Sequence, residues 1–347
     1  MAIRGRQGSA PVALFSFSLS SHTDKYPDRD CTDMASLKEV GEQQLIRNIR
    51  SIIRPAKDAR GTDDDAVVLQ TGGDIVASTD VVTFERHMPR TMSYERFGWM
   101  AAAVNFSDLA AMGARPIGLL TSLSMPPDMD EHDLYDIVSG MDQCAEFVNT
   151  FIVGGDTKPG TGSISCTALG TMEGREPMMR SGAEVGDIVA VTGPLGGPAA
   201  GFAALENNID AEEAIFSLMV PVPMVDAGIA LSSTGKVTSC IDLSDGLATA
   251  ANTICKQSHV GMEIVFDFLP VAEDVEEVCN ATGGSMKDML IGWGGEYVLM
   301  FTFRKEDVSI IQDSGVMFSI IGHVTNDDGV YLLEGESERT RIGNGVY

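Results

Sequence analysis

Basic side chains are scarce in this chain of 347 residues, which has 24 lysines and arginines against 50 aspartates and glutamates. The resulting formal net charge of −26 argues against a nucleic-acid binder, because such binding needs a basic surface that releases counterions. The same charge repels a phosphate ligand unless metal ions or a local basic patch offset it. A solvated acidic surface accounts for most of these acids, but not for acids set among glycines at strand ends.

Several other signatures are missing from the sequence. The six cysteines form no CxxC pair, which predicts reduced thiols in a cytoplasmic protein rather than a zinc site or a disulfide framework. No apolar run is long enough to span a membrane. The chain has neither a GxxxxGK[ST] phosphate loop nor a protein-kinase signature, so metal ions would have to hold the phosphates of a nucleotide.

Predicted helices and strands alternate along most of the chain, which indicates an α/β or α+β fold. We expect an N-terminal domain at residues 35–175 and a C-terminal α/β domain at residues 176–347. Residues 1–34 are interpreted as a disordered or extraneous extension, because serines interrupt the apolar part that a targeting segment would need. An amphipathic pattern at 36–54 predicts a helix that ends before Pro55, and the patterns at 94–113 and 163–171 predict a further helix and a strand. Near the start of the first domain, strand-like runs at 66–69 and 74–78 predict a hairpin.

Five short aspartate motifs lie at predicted strand ends or inside an unusually apolar helix. Clustered carboxylates repel one another and resist burial unless a cation neutralises them, so motifs this far apart predict a polynuclear metal site. Donors that are all oxygen favour magnesium or calcium over zinc, and magnesium in turn indicates phosphate chemistry. The motifs are Asp63-Asp64-Asp65, Ser78-Thr79-Asp80, Asn105-Phe106-Ser107-Asp108, Gly154-Gly155-Asp156-Thr157 and Asp242-Leu243-Ser244-Asp245.

Each motif also has a purely structural alternative. The run of three acids could be a solvated turn, and the glycine-aspartate motif could be an ordinary turn after a buried strand. Asn105 and Asp108 share one helix face, which could simply meet water at a helix end. Ser244 or Asp245 could cap the following helix, although capping explains only one of the polar side chains there.

The amino-acid sequences of these motifs closely resemble those of thiamine-monophosphate kinases. The resemblance runs in register from about Leu37 to about Thr325, and its most specific parts are the helix at 104–114 and the motif at 241–247. Further matching segments are Ser78-Thr79-Asp80 with His87 seven residues on, Gly154-Gly155-Asp156-Thr157, and Arg180-Ser181-Gly182-Ala183 with Gly186-Asp187.

The resemblance implies the two-domain fold of the aminoimidazole ribonucleotide synthetase and selenophosphate synthetase superfamily, with N-terminal domains that join their sheets into a dimer barrel. It implies a homodimer that transfers the γ-phosphoryl group of ATP to thiamine monophosphate, giving thiamine diphosphate. The implied magnesium ligands are Asp65, Ser78, Thr79, Asp80, Asp108, Asp156, Asp242 and Asp245. The implied ATP contacts are Gly155, Asp156, Arg180 and Ser244, and the implied acceptor contacts are His87 and Glu296.

The acceptor is itself a phosphate monoester, whose second pKa of about 6 leaves it ionised near neutrality. It therefore needs no general base, and we predict direct in-line transfer without a covalent enzyme intermediate. The chain departs from the family pattern at Asp63, Met224 and Tyr297, and the family's aromatic residue near the C-terminus has no clear counterpart. Two alternatives stay open, namely a superfamily enzyme with a different acceptor and a non-catalytic protein that binds metal or nucleotide.

Overall fold

The computed structural model describes residues 74–335 and 338–343, together with 40, 45, 48, 49 and 51–54 and the backbone at 59–60 and 68–69. Every described position from 40 to 52 is helical, in agreement with the helix predicted at 36–54. The predicted ligand Asp65, the departure at Asp63 and the predicted extension at 1–34 lie outside the described residues.

The strands of the described residues form sheets of two, four and seven strands. The strands are β1 (Ala59–Arg60), β2 (Val68–Leu69), β3 (Ile75–Thr83), β4 (Arg115–Met125), β5 (Ile152–Pro159), β6 (Ser163–Thr171), β7 (Ile188–Val191), β8 (Val237–Asp242), β9 (Gly261–Val265), β10 (Leu299–Phe303), β11 (Ser319–Thr325), β12 (Val330–Glu334) and β13 (Glu338–Ile342).

The helices that follow residue 74 alternate with these strands. They are α1 (Phe84–His87), α2 (Tyr94–Met112), α3 (Glu131–Phe147), α4 (Gly197–Asn207), α5 (Glu212–Met219), α6 (Val225–Thr234), α7 (Gly246–Ser258), α8 (Val275–Thr282) and α9 (Val308–Asp313). Short 3-10 turns lie at Phe266–Phe268 and Lys305–Asp307, and a π-helical turn lies at Asp288–Gly292.

The four-stranded sheet has the order β3-β6-β4-β5, in which only β4 and β5 are parallel. One face carries apolar side chains such as Ile164 and Cys166 and is covered by α2 and α3. The small residues of α2 let α3 approach closely, since a Cβ atom on Gly98 would lie 1.9 Å from the Ile137 carbonyl oxygen. This close packing fixes the position of helix α2 against β3.

The seven-stranded sheet has the order β13-β12-β9-β11-β7-β10-β8 and is antiparallel except for the β12–β9 pair. Its core joins strand residues such as Val191 and Met300 to Leu247 and Ile254 of α7. Strand β8 forms one edge and contacts α2 of the N-terminal half. This contact places the end of β8 beside the N-terminal sheet.

Three local predictions are wrong. The predicted hairpin does not form in the described residues, because β2 pairs with β1 while all nine residues of β3 pair with β6. The long-range pairing prevails because β6 supplies the apolar face that α2 covers. Asp80 therefore lies inside β3, and Asp156 lies inside β5 rather than after a strand. Helix α5 and the strands after residue 325 were not predicted.

No helix or strand occurs between Thr171 and Ile188, a fully described segment that contains the predicted domain boundary. The boundary itself stays a prediction. Sheets covered by helices in both halves agree with the predicted α/β class. Within the described ranges, none of the helices combines the length and the apolar character that a membrane crossing requires.

Candidate active site

A cavity of about 1300 Å³ is lined by side chains from both halves of the chain. They come from β3 and the loop after α1, from α2 and α4, from the loop between β8 and α7, and from the segment 293–297. Typical small-molecule pockets occupy roughly 300–1,000 Å³, so this cavity is large enough for two substrates. Four aspartates of the predicted metal site line it and are called the carboxylate cluster: Asp80, Asp108, Asp242 and Asp245.

Asp80 and Asp108 meet where β3 crosses α2. The backbone N–H of Asp80 donates a 2.9 Å hydrogen bond to Oδ1 of Asn105, whose amide donates in turn to the Ala101 carbonyl oxygen. Asp108 accepts a hydrogen bond from the Ser78 hydroxyl. Burial and then the negative charges of Asp108 and Asp245 raise the pKa of Asp80. The buried Asn105 thus positions a carboxylate that its neighbours destabilise, and the polar face of α2 meets β3 rather than water.

Asp242 ends β8 and is 2% exposed. Its Oδ2 accepts a 2.6 Å hydrogen bond from the Ser107 hydroxyl, whereas its buried Oδ1 has no hydrogen-bond partner among the described residues. Burial raises the pKa of Asp242 to about 6, against the lowering effects of Ser107 and Arg180. A buried carboxylate oxygen without a partner is costly, so this atom is a position where a cation would be stabilised.

Asp245 stands at the N-terminus of α7, where a capping role was the structural alternative. Its side chain makes no capping hydrogen bond within the described structure. It lines the cavity together with Ser244. Capping therefore does not account for either polar side chain of this loop.

Basic side chains also reach the cavity. Arg180, a predicted ATP contact, lowers the pKa of Asp242 by its charge. His87, a predicted acceptor contact, accepts a 3.1 Å hydrogen bond at Nδ1 from the Thr83 N–H, and burial lowers its pKa. Arg86 and Arg90 line the same cavity, which gives anionic ligands a local positive patch in this acidic chain.

Some predicted site residues are absent from the described cavity lining. Thr79 lies on the opposite face of β3 from Asp80, and its hydroxyl donates to the Cys166 carbonyl oxygen at 2.8 Å. Gly155 and Asp156 lie on β5, at the opposite edge of the sheet from β3. Asp156 is exposed and forms a 3.4 Å ion pair with Lys158. Of the seven predicted metal ligands that lie in the described part of the chain, four therefore line the cavity, and Ser78 donates a hydrogen bond to one of them, Asp108.

Glu296 is also outside the cavity lining. Its Oε1 accepts a 3.2 Å hydrogen bond from the Gly196 N–H, and its buried Oε2 has no partner among described residues. Burial raises the pKa of Glu296 to about 8. The neighbouring Gly294, Gly295 and Tyr297 do line the cavity, so this segment borders the site while its carboxyl group turns inward.

Comparisons with known proteins identify the family of the chain. Residues 62–172 match the family model described as AIR synthase related protein, N-terminal domain, and residues 184–333 match that of the C-terminal domain. The thiamine-monophosphate kinase of Methanopyrus kandleri is 34% identical over 280 residues, covering 80% of this chain and 87% of that protein. The chain belongs to the thiamine-monophosphate kinase family.

Solved structures agree with this family assignment. The thiamine-monophosphate kinase from Stenotrophomonas maltophilia K279a is 28% identical, with a TM-score of 0.74 over 83% of this chain and 95% of that chain. AaThiL complexed with AMPPCP and TMP is 26% identical, with a TM-score of 0.70 over 88% and 98% of the two chains. The predicted two-domain fold is confirmed, and membership of the thiamine-monophosphate kinase family makes the chain a kinase rather than a non-catalytic binding protein.

The cavity of this thiamine-monophosphate kinase family member also contains residues that were not predicted from the sequence. Arg86, Arg90, Phe202 and Trp293 line the cavity. The arginines flank the predicted contact His87, and Trp293 directly precedes the glycine pair of the predicted acceptor segment. Their closeness in the sequence to predicted acceptor contacts could have identified these three residues, whereas nothing in the sequence around Phe202 distinguishes it.

No group of three or more His, Cys, Asp or Glu side chains that could hold a metal ion is present among the described residues of this family member. Magnesium is usually bound through one or two carboxylates, with water and substrate phosphates completing its coordination. Oδ1 of Asp242, which has no partner among the described residues, and the Asp80 carboxylate, which burial and the charge of Asp108 destabilise, fit that kind of open site. The residues present therefore suit magnesium that arrives with a nucleotide.

Proposed function

We propose that this chain transfers the γ-phosphoryl group of ATP to thiamine monophosphate, giving thiamine diphosphate and ADP. The observation that carries the proposal is the carboxylate cluster, which faces one cavity from both halves of a chain in the thiamine-monophosphate kinase family. A cavity large enough for two ligands suits a reaction that joins two phosphorylated molecules.

The transfer proceeds in line and needs no covalent enzyme intermediate. A terminal phosphate oxygen of the acceptor attacks the γ-phosphorus of ATP, and the bond from that phosphorus to the β–γ bridging oxygen breaks as ADP leaves. The acceptor phosphate is already ionised near neutrality, so no side chain has to remove a proton. The chain contributes by positioning the two phosphates and by offsetting their charge.

The carboxylate cluster would hold the magnesium ions. Oδ1 of Asp242 is the oxygen best placed to bind one of them, because it has no hydrogen-bond partner among the described residues. Ser78 orients Asp108, and Ser107 orients Asp242. Bound magnesium would supply the positive charge that lets an acidic cavity accept ATP and the acceptor. We keep Asp65, Thr79 and Asp156 as proposed ligands outside this cluster.

Arg180 and Ser244 are the proposed ATP contacts within the cavity, and His87 is the proposed acceptor contact. Arg86 and Arg90 provide further positive charge for the phosphates on the side of β3. Glu296 remains a proposed acceptor contact that must act as a neutral acid near pH 7, because burial raises its pKa to about 8.

We also propose that the protein is a homodimer whose N-terminal sheets join. Strand β3 is an edge strand of the four-stranded sheet that the described residues form, and Ile75 and Val81 on it are 59% and 56% exposed. Exposed apolar edges of this kind are a liability unless another chain covers them. Gly155 and Asp156 on the other edge strand, β5, would then serve the cavity of the partner subunit. The five described cysteines are all free and buried, which supports a cytoplasmic location for this dimer.

The decisive experiment is turnover of the purified protein with MgATP and thiamine monophosphate, following thiamine diphosphate by chromatography. Thiamine and other phosphate monoesters, offered in parallel, distinguish this function from a superfamily enzyme with a different acceptor. Formation of thiamine diphosphate that stops when magnesium is chelated is the expected result. Faster ATP consumption with another acceptor would overturn the proposal.

A further inference from the structure

We propose that Trp293, with Phe202 packed against it, forms the surface on which the positively charged thiazolium ring of the acceptor stacks. This inference rests on the proposed function and deepens it. Both rings line the cavity, and their exposed fractions are 39% and 41%. Their centroids lie 5.1 Å apart with an interplanar angle of 32°. Two large aromatic side chains thus remain exposed inside a cavity that also contains the carboxylate cluster.

The backbone holds Trp293 firmly beside that cluster. Gly246 adopts a φ of +83°, and a Cβ atom on it would lie 2.2 Å from the Trp293 carbonyl oxygen. The Gly295 N–H donates a 2.9 Å hydrogen bond to the Ser244 carbonyl oxygen. The segment carrying Trp293 is therefore packed directly against the loop carrying Asp245. An aromatic surface built on such close packing is positioned in advance for a ligand.

Six acidic side chains and three arginines line the cavity, so its charge favours a cationic ring over a neutral one. Glu85 and Glu206 line the same cavity and add negative charge, while Leu205 and Pro198 add apolar surface. Indole is the most effective aromatic partner for a cation, and the effect grows when the pair is shielded from water. The adenine ring of ATP is neutral and gains stacking alone from this surface. The thiazolium ring carries a fixed positive charge, so it gains both contributions.

Fluorescence can test the contact directly, because the chain has only two tryptophans. Trp99 is 5% exposed, and its Nε1 donates a 2.7 Å hydrogen bond to the Pro221 carbonyl oxygen, so it reports on the protein interior. We expect thiamine monophosphate to change the wild-type emission in a saturable way, and W293F, which keeps Trp99, to show no change. A saturable change that persists in W293F would overturn the inference.

Steady-state kinetics provide the second test. In W293L we expect the KM for thiamine monophosphate to rise about 5- to 50-fold while the KM for ATP stays within about twofold. W293F retains an aromatic face and should lie between wild type and W293L. The matched control is F268L, because Phe268 is 60% exposed but outside the cavity lining. A rise in the KM for ATP instead, or no rise in either KM, would refute the stacking role.

A neutral acceptor isolates the contribution of charge. The 3-deaza analogue of thiamine monophosphate replaces the charged ring nitrogen with carbon. We expect it to bind wild type more weakly than thiamine monophosphate does, and the difference to shrink in W293L. Equal binding of both compounds to wild type would refute recognition of the charge. If wild type fails to turn over thiamine monophosphate, the proposed function itself fails; turnover with an unchanged KM in W293L refutes only this inference.

Discussion

The hydroxyl of Ser107 donates a 2.6 Å hydrogen bond to Oδ2 of Asp242, and both residues are buried. Ser107 belongs to helix α2 of the N-terminal half, whereas Asp242 ends strand β8 of the C-terminal half. The bond therefore fixes the Asp242 carboxylate relative to the helix that carries Asp108. Oδ1 of Asp242 stays available to bind a metal ion, since none of the described residues donates a hydrogen bond to it.

Ser107→Ala should weaken both folding and the site. Removing the hydroxyl leaves a buried carboxylate less satisfied, which we expect to lower the free energy of unfolding by about 1–3 kcal/mol. The Ser107 hydrogen bond lowers the pKa of Asp242, so its loss should move the acid limb of kcat/KM for MgATP to higher pH. Urea denaturation and a pH profile measure the two effects. S233A, which removes an exposed hydroxyl bonded to Ile229 within α6, should change neither, and an unmoved acid limb in S107A would contradict the argument.

Asp108→Asn removes a charge from the carboxylate cluster while keeping the shape of the side chain. The amide oxygen of the substituted side chain can still accept the hydrogen bond from Ser78, so the fold should persist. We expect kcat to fall by at least about 100-fold, because positioned charge dominates phosphoryl transfer. Turnover assays with circular dichroism and a melting curve measure this. The control is D328N, which alters a fully exposed acid and should retain activity. A D108N enzyme as active as D328N would show that Asp108 does not contribute to the site.

Local patterns predicted those parts of the fold that depend on local contacts. The bounds of α2 and β6 were predicted to within about a residue, because apolar periodicity and the glycine stop lie in the sequence itself. The partner of β3 was not predictable in this way. Its pairing with β6 joins residues far apart in the chain, and a turn signal after residue 70 suggested a closer partner.

The site divides along the same line. The sequence predicted that Asp80, Asp108 and Asp242 would lie together, because acids among apolar residues and glycines indicate a cation site, and all three line the cavity. Their role as metal ligands stays a prediction. Trp293 was missed, since its exposure inside a cavity depends on how the 293–297 segment packs against the β8–α7 loop. Glu296 follows the family pattern, yet its carboxyl group turns toward the Gly196 N–H, a contact that no spacing along the chain reveals.

Magnesium should stabilise the protein more at about pH 7.5 than at about pH 5, because its ligands must be deprotonated to bind it. Burial raises the pKa of Asp242 to about 6, so this carboxyl group is protonated at the lower pH. In the metal-free protein the effect of pH on stability is opposite. The unfolded state has an ordinary aspartate pKa and therefore binds fewer protons than the folded state. The free energy of unfolding of the metal-free protein therefore falls as pH rises through about 6.

Scanning calorimetry with and without magnesium checks this at both pH values. The expected result is a larger rise in Tm at the higher pH, and a smaller pH difference in D242N. The same rise in Tm at both pH values would show that Asp242 is not a ligand.

Subunits carrying different substitutions should complement one another if Asp156 serves the partner's cavity. A mixed dimer of D108N and D156N has one cavity with both changes and one with neither. Random pairing makes half of the dimers mixed, so about a quarter of wild-type activity should return on co-expression. Each variant alone should be nearly inactive. Mixed dimers can be isolated with two different tags. If these dimers are inactive, Asp156 acts in the cavity of its own subunit.

Glu296→Gln should stabilise the protein at alkaline pH. Burial raises the pKa of Glu296 to about 8, well above the ordinary glutamate value, so the folded state keeps this proton over a wide range. The unfolded state releases it near pH 4.3, and the wild type therefore loses stability as pH rises from about 4.3 through about 8. Glutamine cannot ionise and keeps an oxygen to accept the Gly196 N–H.

At about pH 9 we expect E296Q to exceed wild type in free energy of unfolding by an amount of the order of a few kcal/mol, with about half of that difference at about pH 6. Urea denaturation at the two pH values measures it, and E306Q, at an exposed position, should behave as wild type. Because Glu296 is protonated near neutrality, E296Q should also retain a near-normal KM for thiamine monophosphate. A stability difference that does not grow with pH would mean that Glu296 ionises normally, and its proposed contact with the acceptor would then be that of an anion.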